Sequence, residues 1–292
     1  MRRSRSASFP AVVWMSISIS SLYRGGVMPE LTSHMIADRL PATTNWGPIR
    51  VVAVTGSTNA DLAAQARSGA AAGEVLVALE QTRGRGRRER SWASPPGGSI
   101  SMSVLVEPEL APEQWGWLSL LAGVAVRDAI AAATEEPGRV ELKWPNDVLV
   151  DGGKVCGILA ERVETPAGAK AVIGIGINLQ LTVEQLPVAT ATALNLAGIS
   201  VEPAALVASV LAGIAQLQQL PLALLRQRYL AACASVGRQL TITAEGEALA
   251  GKGLGVDEAG RLLVQTAVGS KAFSVGDVVH ASIVAKQSPS GE

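Results

Sequence analysis

The chain has 292 residues, 48% of them apolar and 17% charged, and 25 Lys and Arg balance 25 Asp and Glu. That balance excludes disorder as a description of the whole chain and argues against a dedicated nucleic-acid-binding domain, which carries a basic excess. The length suits one large domain plus a small one, and with aromatics at 3% most of the core must come from Ala, Val, Leu and Gly.

The first 27 residues start MRRSRS and run into a semi-apolar stretch that faintly resembles a secretory leader. Ser16, Ser18, Ser20 and Ser21 interrupt it. The segment therefore reads as a disordered tail, or as an over-extended start with Met28 as the true one. No apolar run approaches a membrane span, and the expected location is cytoplasmic. LTSHMIADRL, closed by Pro41, predicts a short helix. IRVVAVTG (49–56) predicts a strand, and STNADLAAQARSG (57–69) a helix capped by Ser57 or Thr58 and stopped by Gly69. Further strands are expected over 74–82 and 99–108, with a long apolar helix over 113–134. Residues 140–164 read as a hairpin of two strands around Asp151-Gly152-Gly153. Another strand is expected over 169–181, a helical segment through the 190s, and a helix across 203–232. After Gly237 short strands alternate with glycine turns, the pattern of a small β-barrel. The boundary falls near Ser235. It divides the chain into a domain over 28–235, a barrel over 236–286 and a tail over 287–292.

Cys156 and Cys233 show neither metal spacing nor a disulfide framework and read as buried thiols in a reducing compartment. His34 and His280 pair with no Cys or carboxylate in a zinc pattern, so no protein-only metal site is expected.

The segment 83-RGRGRRER-90 holds five arginines and two glycines in eight residues. Glycine lets backbone N–H groups approach a ligand, and arginine adds bidentate contacts to phosphate or carboxylate oxygens. A strand feeding such a loop is a candidate clamp for a small anion, although most charge runs are simply solvated surface. The loop lacks the third glycine of a dinucleotide fingerprint and the Gly-Lys-Ser/Thr ending of a P-loop. A second cluster, LKWPNDVLVDGGKVCGILAE, places Lys143, Asn146, Asp147 and Lys154 on strands, with Lys154 returning near Asp147 after the turn. Taken alone it reads equally as a surface hairpin with ordinary charges.

Together these motifs, with Ser57-Thr58-Asn59 before them and GIGIN (174–178) after them, resemble the biotin protein ligase family over roughly residues 49–285. The resemblance implies an α+β fold. Its mixed β-sheet catalytic domain is flanked by helices and related to class II aminoacyl-tRNA synthetases, and a small C-terminal SH3-like β-barrel follows. It implies that the chain adenylates biotin with ATP and Mg2+ to biotinyl-5′-AMP, then transfers biotin to one lysine of a biotin carboxyl carrier domain of acetyl-CoA or a related acyl-CoA carboxylase.

The resemblance also implies roles. Ser57, Thr58, Asn59, Gln81, Gly84, Arg85 and Gly157 match biotin-binding positions. Arg85, Arg87, Arg90, Trp92, Asn146 and Asn178 match positions at ATP or the adenylate, with Trp92 on the adenine side. Lys154 matches the lysine between the biotin carboxylate and the α-phosphate, and Lys154, Arg87 and Asp147 are the implied catalytic residues. Asp147 would orient the carrier lysine or accept its proton. One departure is Glu89, where the family usually has glycine; glutamate resists a positive φ. Too few residues precede the first catalytic strand for a helix-turn-helix domain, so a monofunctional enzyme without nucleic-acid or membrane partners is expected, as monomer or weak homodimer. The alternatives are a lipoate-type acyl ligase on the same fold and a biotin-binding regulator with impaired catalysis.

Overall fold

The computed structural model describes residues 31–244, 246–274 and 276–280. The tail or alternative start expected over 1–27, and the chain beyond residue 280, lie outside the described residues.

The first sheet has seven strands: β1 (Ile49–Thr55), β2 (Val75–Gln81), β3 (Ser99–Val106), β4 (Val140–Lys143), β5 (Asp147–Val150), β6 (Gly153–Thr165) and β7 (Gly168–Asn178). Their order is β1-β2-β3-β7-β6-β5-β4. Only β1 and β2 pair in parallel. A parallel pair needs a crossover, and the helix α2 (Thr58–Arg67) supplies it. The sheet is therefore mixed.

Helices cover both faces. Ser57 caps α2, and its side chain accepts from Ala60 N. Leu62, Ala63 and Ala66 of α2 bury one face against Leu105, Val163 and Val172. On the other face lies α3 (Trp117–Ala131), with eleven of its fifteen residues buried. A helix apolar all round must be enclosed on all sides; the sheet covers one side of α3 and α4 (Pro203–Gln218) the other. A short helix α1 (Ser33–Ala37) precedes the sheet.

Three expectations need correction. The helix expected over 203–232 is two helices, α4 and α5 (Leu222–Ala232). Pro221 separates them, because it has no N–H to continue the ladder. The segment through the 190s is not helical. Its Ala- and Leu-rich composition favours helix, but its backbone bonds to strands instead: Lys154 N donates to Thr190 O at 2.8 Å, Thr192 N to Lys154 O at 2.9 Å, and Leu194 N to Asn178 O at 3.1 Å. The expected two-strand hairpin over 140–164 has three strands. Trp144-Pro145-Asn146 turns β4 into β5, and Asp151-Gly152, at φ 49° and 79°, turns β5 into β6.

The C-terminal strands β8 (Gln239–Ala244), β9 (Glu247–Val256), β10 (Leu262–Thr266), β11 (Gly269–Phe273) and β12 (Asp277–His280) form an antiparallel sheet in the order β11-β10-β9-β8-β12. Two tryptophans grip the turn between β9 and β10. Trp117 Nε1 donates to Asp257 O and Glu258 O, both at 3.1 Å, and Trp144 Nε1 donates to Gly260 O at 2.9 Å. Gly260, at φ 80°, lies against the backbone of Gly116, where a Cβ would meet Gly116 C at 2.9 Å.

Trp117 also packs edge-on against Tyr229, with ring centroids 5.8 Å apart. Trp117→Phe removes the N–H shared by two carbonyls and leaves a gap beside Tyr229. It is expected to lower unfolding free energy by about 2–4 kcal/mol, measured by urea denaturation.

Candidate functional site

A cleft of about 1380 Å3 opens on the α2 face of the first sheet and is closed on one side by β12. Of the residues assigned to the site by sequence, all line it except Gly84. Gly84 lies beneath the loop base instead. A Cβ there would stand 2.5 Å from Trp92 O and 2.9 Å from Gln81 Nε2. Its glycine identity thus permits the chain to fold back, with Trp92 N donating to Gly84 O at 2.9 Å.

The floor is made by glycines. Gly157 of β6 pairs with Gly176 of β7, and their missing side chains leave a flat patch on which the indole of Trp92 lies. A Cβ at Gly157 would meet Trp92 Cζ3 at 2.9 Å. Trp92 Nε1 is buried without a hydrogen-bond partner, which leaves a donor for a ligand acceptor. The indole lies 5.7 Å from Lys154 Nζ. At the N-terminus of α2, Gln81 Oε1 accepts from Thr58 N at 2.8 Å and stands 3.1 Å from Thr58 Oγ1. Asn59 turns inward to Leu159 O and Glu161.

The arginine segment folds as a small hairpin. Arg85 bridges Ser91, and Gly86 N donates to Arg90 O at 2.6 Å. At its tip Arg88 and Glu89 both take left-handed backbone, φ 55° and 61°. Glu89 faces solvent. Asp277 of β12 holds the tip, with Oδ1 at 2.5 Å from Arg90 Nη2 and Oδ2 at 3.4 Å from Arg88 Nη1. Among the described residues Arg87 has no ion-pair partner. Burial pulls its guanidinium below the ordinary arginine value, and the pull is opposed by Asp277 and Asp147. An unpaired, partly desolvated cation aimed into a cleft is a strong anion site.

Opposite the hairpin, Lys154 Nζ stands 2.5 Å from Asp147 Oδ1. That oxygen has no aligned hydrogen bond, so the contact is ionic rather than directional. Lys143 faces Asp147 across the β4–β5 pair. Burial lowers the Lys143 ammonium from its ordinary value; Asp147 counters this and Lys154 adds to it. The two asparagines assigned to the nucleotide have structural engagements. Asn146 Nδ2 donates to Ile158 O at 2.7 Å, Asn178 Nδ2 to Thr192 O at 3.0 Å, and Asn178 Oδ1 accepts from Ser99 Oγ at 3.3 Å. Cys156 is fully buried, and burial pushes its thiol up, so it is an inert core residue.

Sequence reasoning did not find Glu161, Arg238, Asp277 or His280, and assigned Lys143 no role. Nothing local in the barrel sequence marks Asp277 or His280; only the fold brings them to the cleft. Lys143 had a readable signal, since it opens the motif that ends in Asp147.

A mixed sheet with an arginine hairpin, a lysine–aspartate pair and a flat apolar floor defines a site for a ligand with an apolar body and negative charge. Known proteins agree with that class. The family model described as the biotin/lipoate A/B protein ligase family matches residues 51–178, and that for the biotin protein ligase C-terminal domain matches residues 236–281. The chain is 38% identical over 271 residues to the biotin–[acetyl-CoA-carboxylase] ligase of Mycobacterium tuberculosis, covering 88% of this chain and 98% of that one. It is 32% identical to the bifunctional ligase/repressor BirA of Bacillus spizizenii, over 73% of this chain and 68% of the relative. The fold superposes with a TM-score of 0.68, at 27% identity, on the biotin protein ligase from Aquifex aeolicus in complex with biotin and ATP, covering 81% of this chain and 99% of that one. The chain belongs to the biotin protein ligase family.

His280 lies on the barrel side of the cleft, with Nε2 at 3.0 Å from Ser235 Oγ. Burial first, then Lys143 and Arg238, push its pKa from 6.5 down to about 4. The folded chain therefore refuses a proton that the unfolded chain accepts below pH 6.5. The stability this group contributes is complete above pH 6.5 and is lost as the pH falls toward about 4. His280→Gln is expected to lose less stability than the parent between about pH 7 and about pH 5. Urea denaturation of both proteins at the two pH values reads the difference.

Proposed function

We propose that the chain is an ATP-dependent biotin–[acetyl-CoA-carboxylase] ligase. The observation that carries the reading is the convergence of two distant motifs, the arginine hairpin and the KWPND turn with Lys154, on one cleft in a chain of this family. Biotin and ATP are the substrates. The acceptor would be a lysine of a biotin carboxyl carrier domain, and the reaction would run in the cytoplasm. Among the described residues no helix is long and apolar enough to cross a membrane. Residues 28–235 would form the catalytic domain and 236–286 the barrel.

In the first step the biotin carboxylate attacks the α-phosphorus of ATP and diphosphate leaves, giving the mixed anhydride biotinyl-5′-AMP. Both reactants are anions and repel. Lys154 and Arg87 would offset that charge as it concentrates in transfer. Arg90 would join them by exchanging Asp277 for a phosphate oxygen. The Arg90–Asp277 pair is suited to exchange, because its side chains are 60% and 44% exposed and such pairs hold with at most about 1 kcal/mol. Biotin would lie on the Gly157–Gly176 floor by displacing the Trp92 indole that rests there, with Ser57, Thr58 and Gln81 at its head. Trp92 would cover the anhydride against water. In the second step the carrier amine attacks the acyl carbon and AMP leaves. Asp147 would orient that amine or take its proton.

Mg2+ would arrive with ATP. Among the described residues no group of three or more His, Cys, Asp or Glu side chains is placed to hold a metal. The cleft carboxylates Asp147 and Asp277 face lysine and arginine instead. The described residues therefore make no metal cage of their own.

The protein is to be mixed with biotin, ATP, Mg2+ and a carrier domain, and the carrier weighed by mass spectrometry, with lipoate in a parallel reaction. A single biotin-sized gain is expected. Lys154→Ala should slow it by about 100-fold or more. A lipoate gain instead would overturn the pocket assignment, and no gain with either acid would favour a regulator.

Glu89 and Arg88 each hold left-handed backbone at a cost of roughly 1–2 kcal/mol for a residue with a Cβ. Glycine at position 89 removes that cost without removing a contact, since Glu89 is solvent-exposed. Glu89→Gly is expected to keep turnover within about twofold and to hold the intermediate as long or longer. Single-turnover transfer and release of radiolabelled adenylate measure both, and a strong loss of activity refutes the reading.

A further inference from the structure

Glu161 is the last residue of the LKWPNDVLVDGGKVCGILAE segment and carries no role there, yet it sits where three parts of the cleft meet. On β6, residues 157, 159, 161 and 163 share one face by strand alternation. Val163 packs under α2, and Gly157 forms the floor. Glu161 therefore points toward the α2 side, between the sheet and the arginine hairpin. One of its oxygens, Oε2, accepts from Arg85 Nη2 at 2.8 Å and from Asn59 Nδ2 at 2.7 Å.

The proton count fixes a direction from there. Asn59 Nδ2 also donates to Leu159 O at 3.1 Å. Both its partners are acceptors, so the amide orientation is determined, and Oδ1 points to Ser103 Oγ at 2.6 Å. An amide oxygen cannot donate, so the single proton of Ser103 goes to Asn59. The contact of Ser103 Oγ with Thr58 Oγ1, at 2.7 Å, must then run from Thr58 to Ser103. Thr58 still holds Gln81 Oε1 through its backbone N–H at 2.8 Å. An unbroken chain of bonds thus runs from Gln81 through Thr58, Ser103, Asn59 and Glu161 to Arg85. Ser103 and Asn59 are buried within it, where such bonds are hardest to replace with water.

We propose that Glu161 is a positioning residue that latches the arginine hairpin to the hydrogen-bonded floor of the cleft. It touches no reacting atom. It sets where Arg85, and with it the base of the hairpin, rests relative to Thr58 and Gln81. The proposal rests on the ligase reading for the identity of the ligand, not for the latch itself.

The hairpin carries its own probe, because trypsin cuts after arginine. The full chain, without ligand, is digested briefly, and cuts after Arg87, Arg88 and Arg90 are followed by mass spectrometry. Glu161→Gln is expected to raise the initial rate at these bonds about three- to tenfold with an unchanged thermal midpoint. Arg85→Gln removes the same bond from the hairpin side and leaves Asn59 its partner; it should give a similar rise. The double variant should be cut no faster than the faster single one. If Glu161→Gln proves unstable, Arg85→Gln decides. Parent-like cutting in a well-folded variant, or full additivity in the double, overturns the latch. A parent that fails to transfer biotin to a carrier, yet is cut faster once Glu161 is changed, keeps the latch and removes the ligase reading.

Discussion

Arg87, Arg90, Lys143 and Lys154 line one cleft, and their mutual repulsion must be managed before any substrate arrives. The chain manages it with three carboxylates delivered by three different strands. Asp147 at the start of β5 faces Lys154, Glu161 in β6 takes Arg85, and Asp277 in β12 takes Arg88 and Arg90. Arg87 and Lys143 are left over among the described residues. Their carboxylate neighbours act only through space, and burial lowers both. These two partly desolvated cations lack a contact partner, which is where an incoming phosphate gains most. His280 follows the same field. Buried, and with Lys143 and Arg238 beside it, the imidazole is held toward its neutral form and adds no further charge.

Space is managed as tightly as charge. A Cβ at Gly157 or Gly176 would strike Trp92, and one at Gly174 would strike Asn59. These three glycines lie on adjacent strands in register, Gly157 opposite Gly176 and Leu159 opposite Gly174. The sheet thereby offers a bare backbone surface between α2 and the hairpin. Asn59 settles over Gly174 and bonds to the β6 backbone at Leu159, while Trp92 settles over the other two. The floor, the helix start and the hairpin consequently fit together as one packed unit, and glycine at these positions answers to packing rather than to flexibility.

The local chemistry of the site was legible because each motif is contiguous. A strand feeding Gly and Arg, and a lysine returning after an Asp-Gly turn, can be read along the chain. The strands β1, β2, β3 and β7 of the first sheet were legible as contiguous apolar runs, whereas the turn that divides β4 from β5 was not. What escaped depends on distance. Glu161 is one carboxylate in an ordinary charged strand end until Arg85 arrives from 76 residues away. Asp277 meets Arg90 across 187. The 190s misled because alanine and leucine favour helix locally, whereas the free edge of Lys154 offered backbone partners that no local rule could include. Pro221 breaks the apolar run that the expectation of a single helix over 203–232 had read through. Glu89 was visible as a departure from glycine, and the left-handed backbone it adopts is the conformation that glycine would have taken without cost.

The barrel touches both motifs, but with bonds of different kinds. On one side Trp117 and Trp144 donate indole N–H groups to carbonyls of the β9–β10 turn, and both side chains are essentially buried. Trp144 stands three residues before Asp147, so that grip also fixes the start of the lysine–aspartate pair. On the other side Asp277 reaches the hairpin through ion pairs whose side chains are each more than 40% exposed. Buried directional bonds are costly to break, while exposed ion pairs are screened and exchange readily with solvent or a competing anion. The barrel is therefore fixed to the KWPND turn and only loosely fixed to the arginine hairpin. A ligand anion that displaces Asp277 can move the hairpin without moving the barrel, and the lysine–aspartate pair stays in place while the arginines change partners.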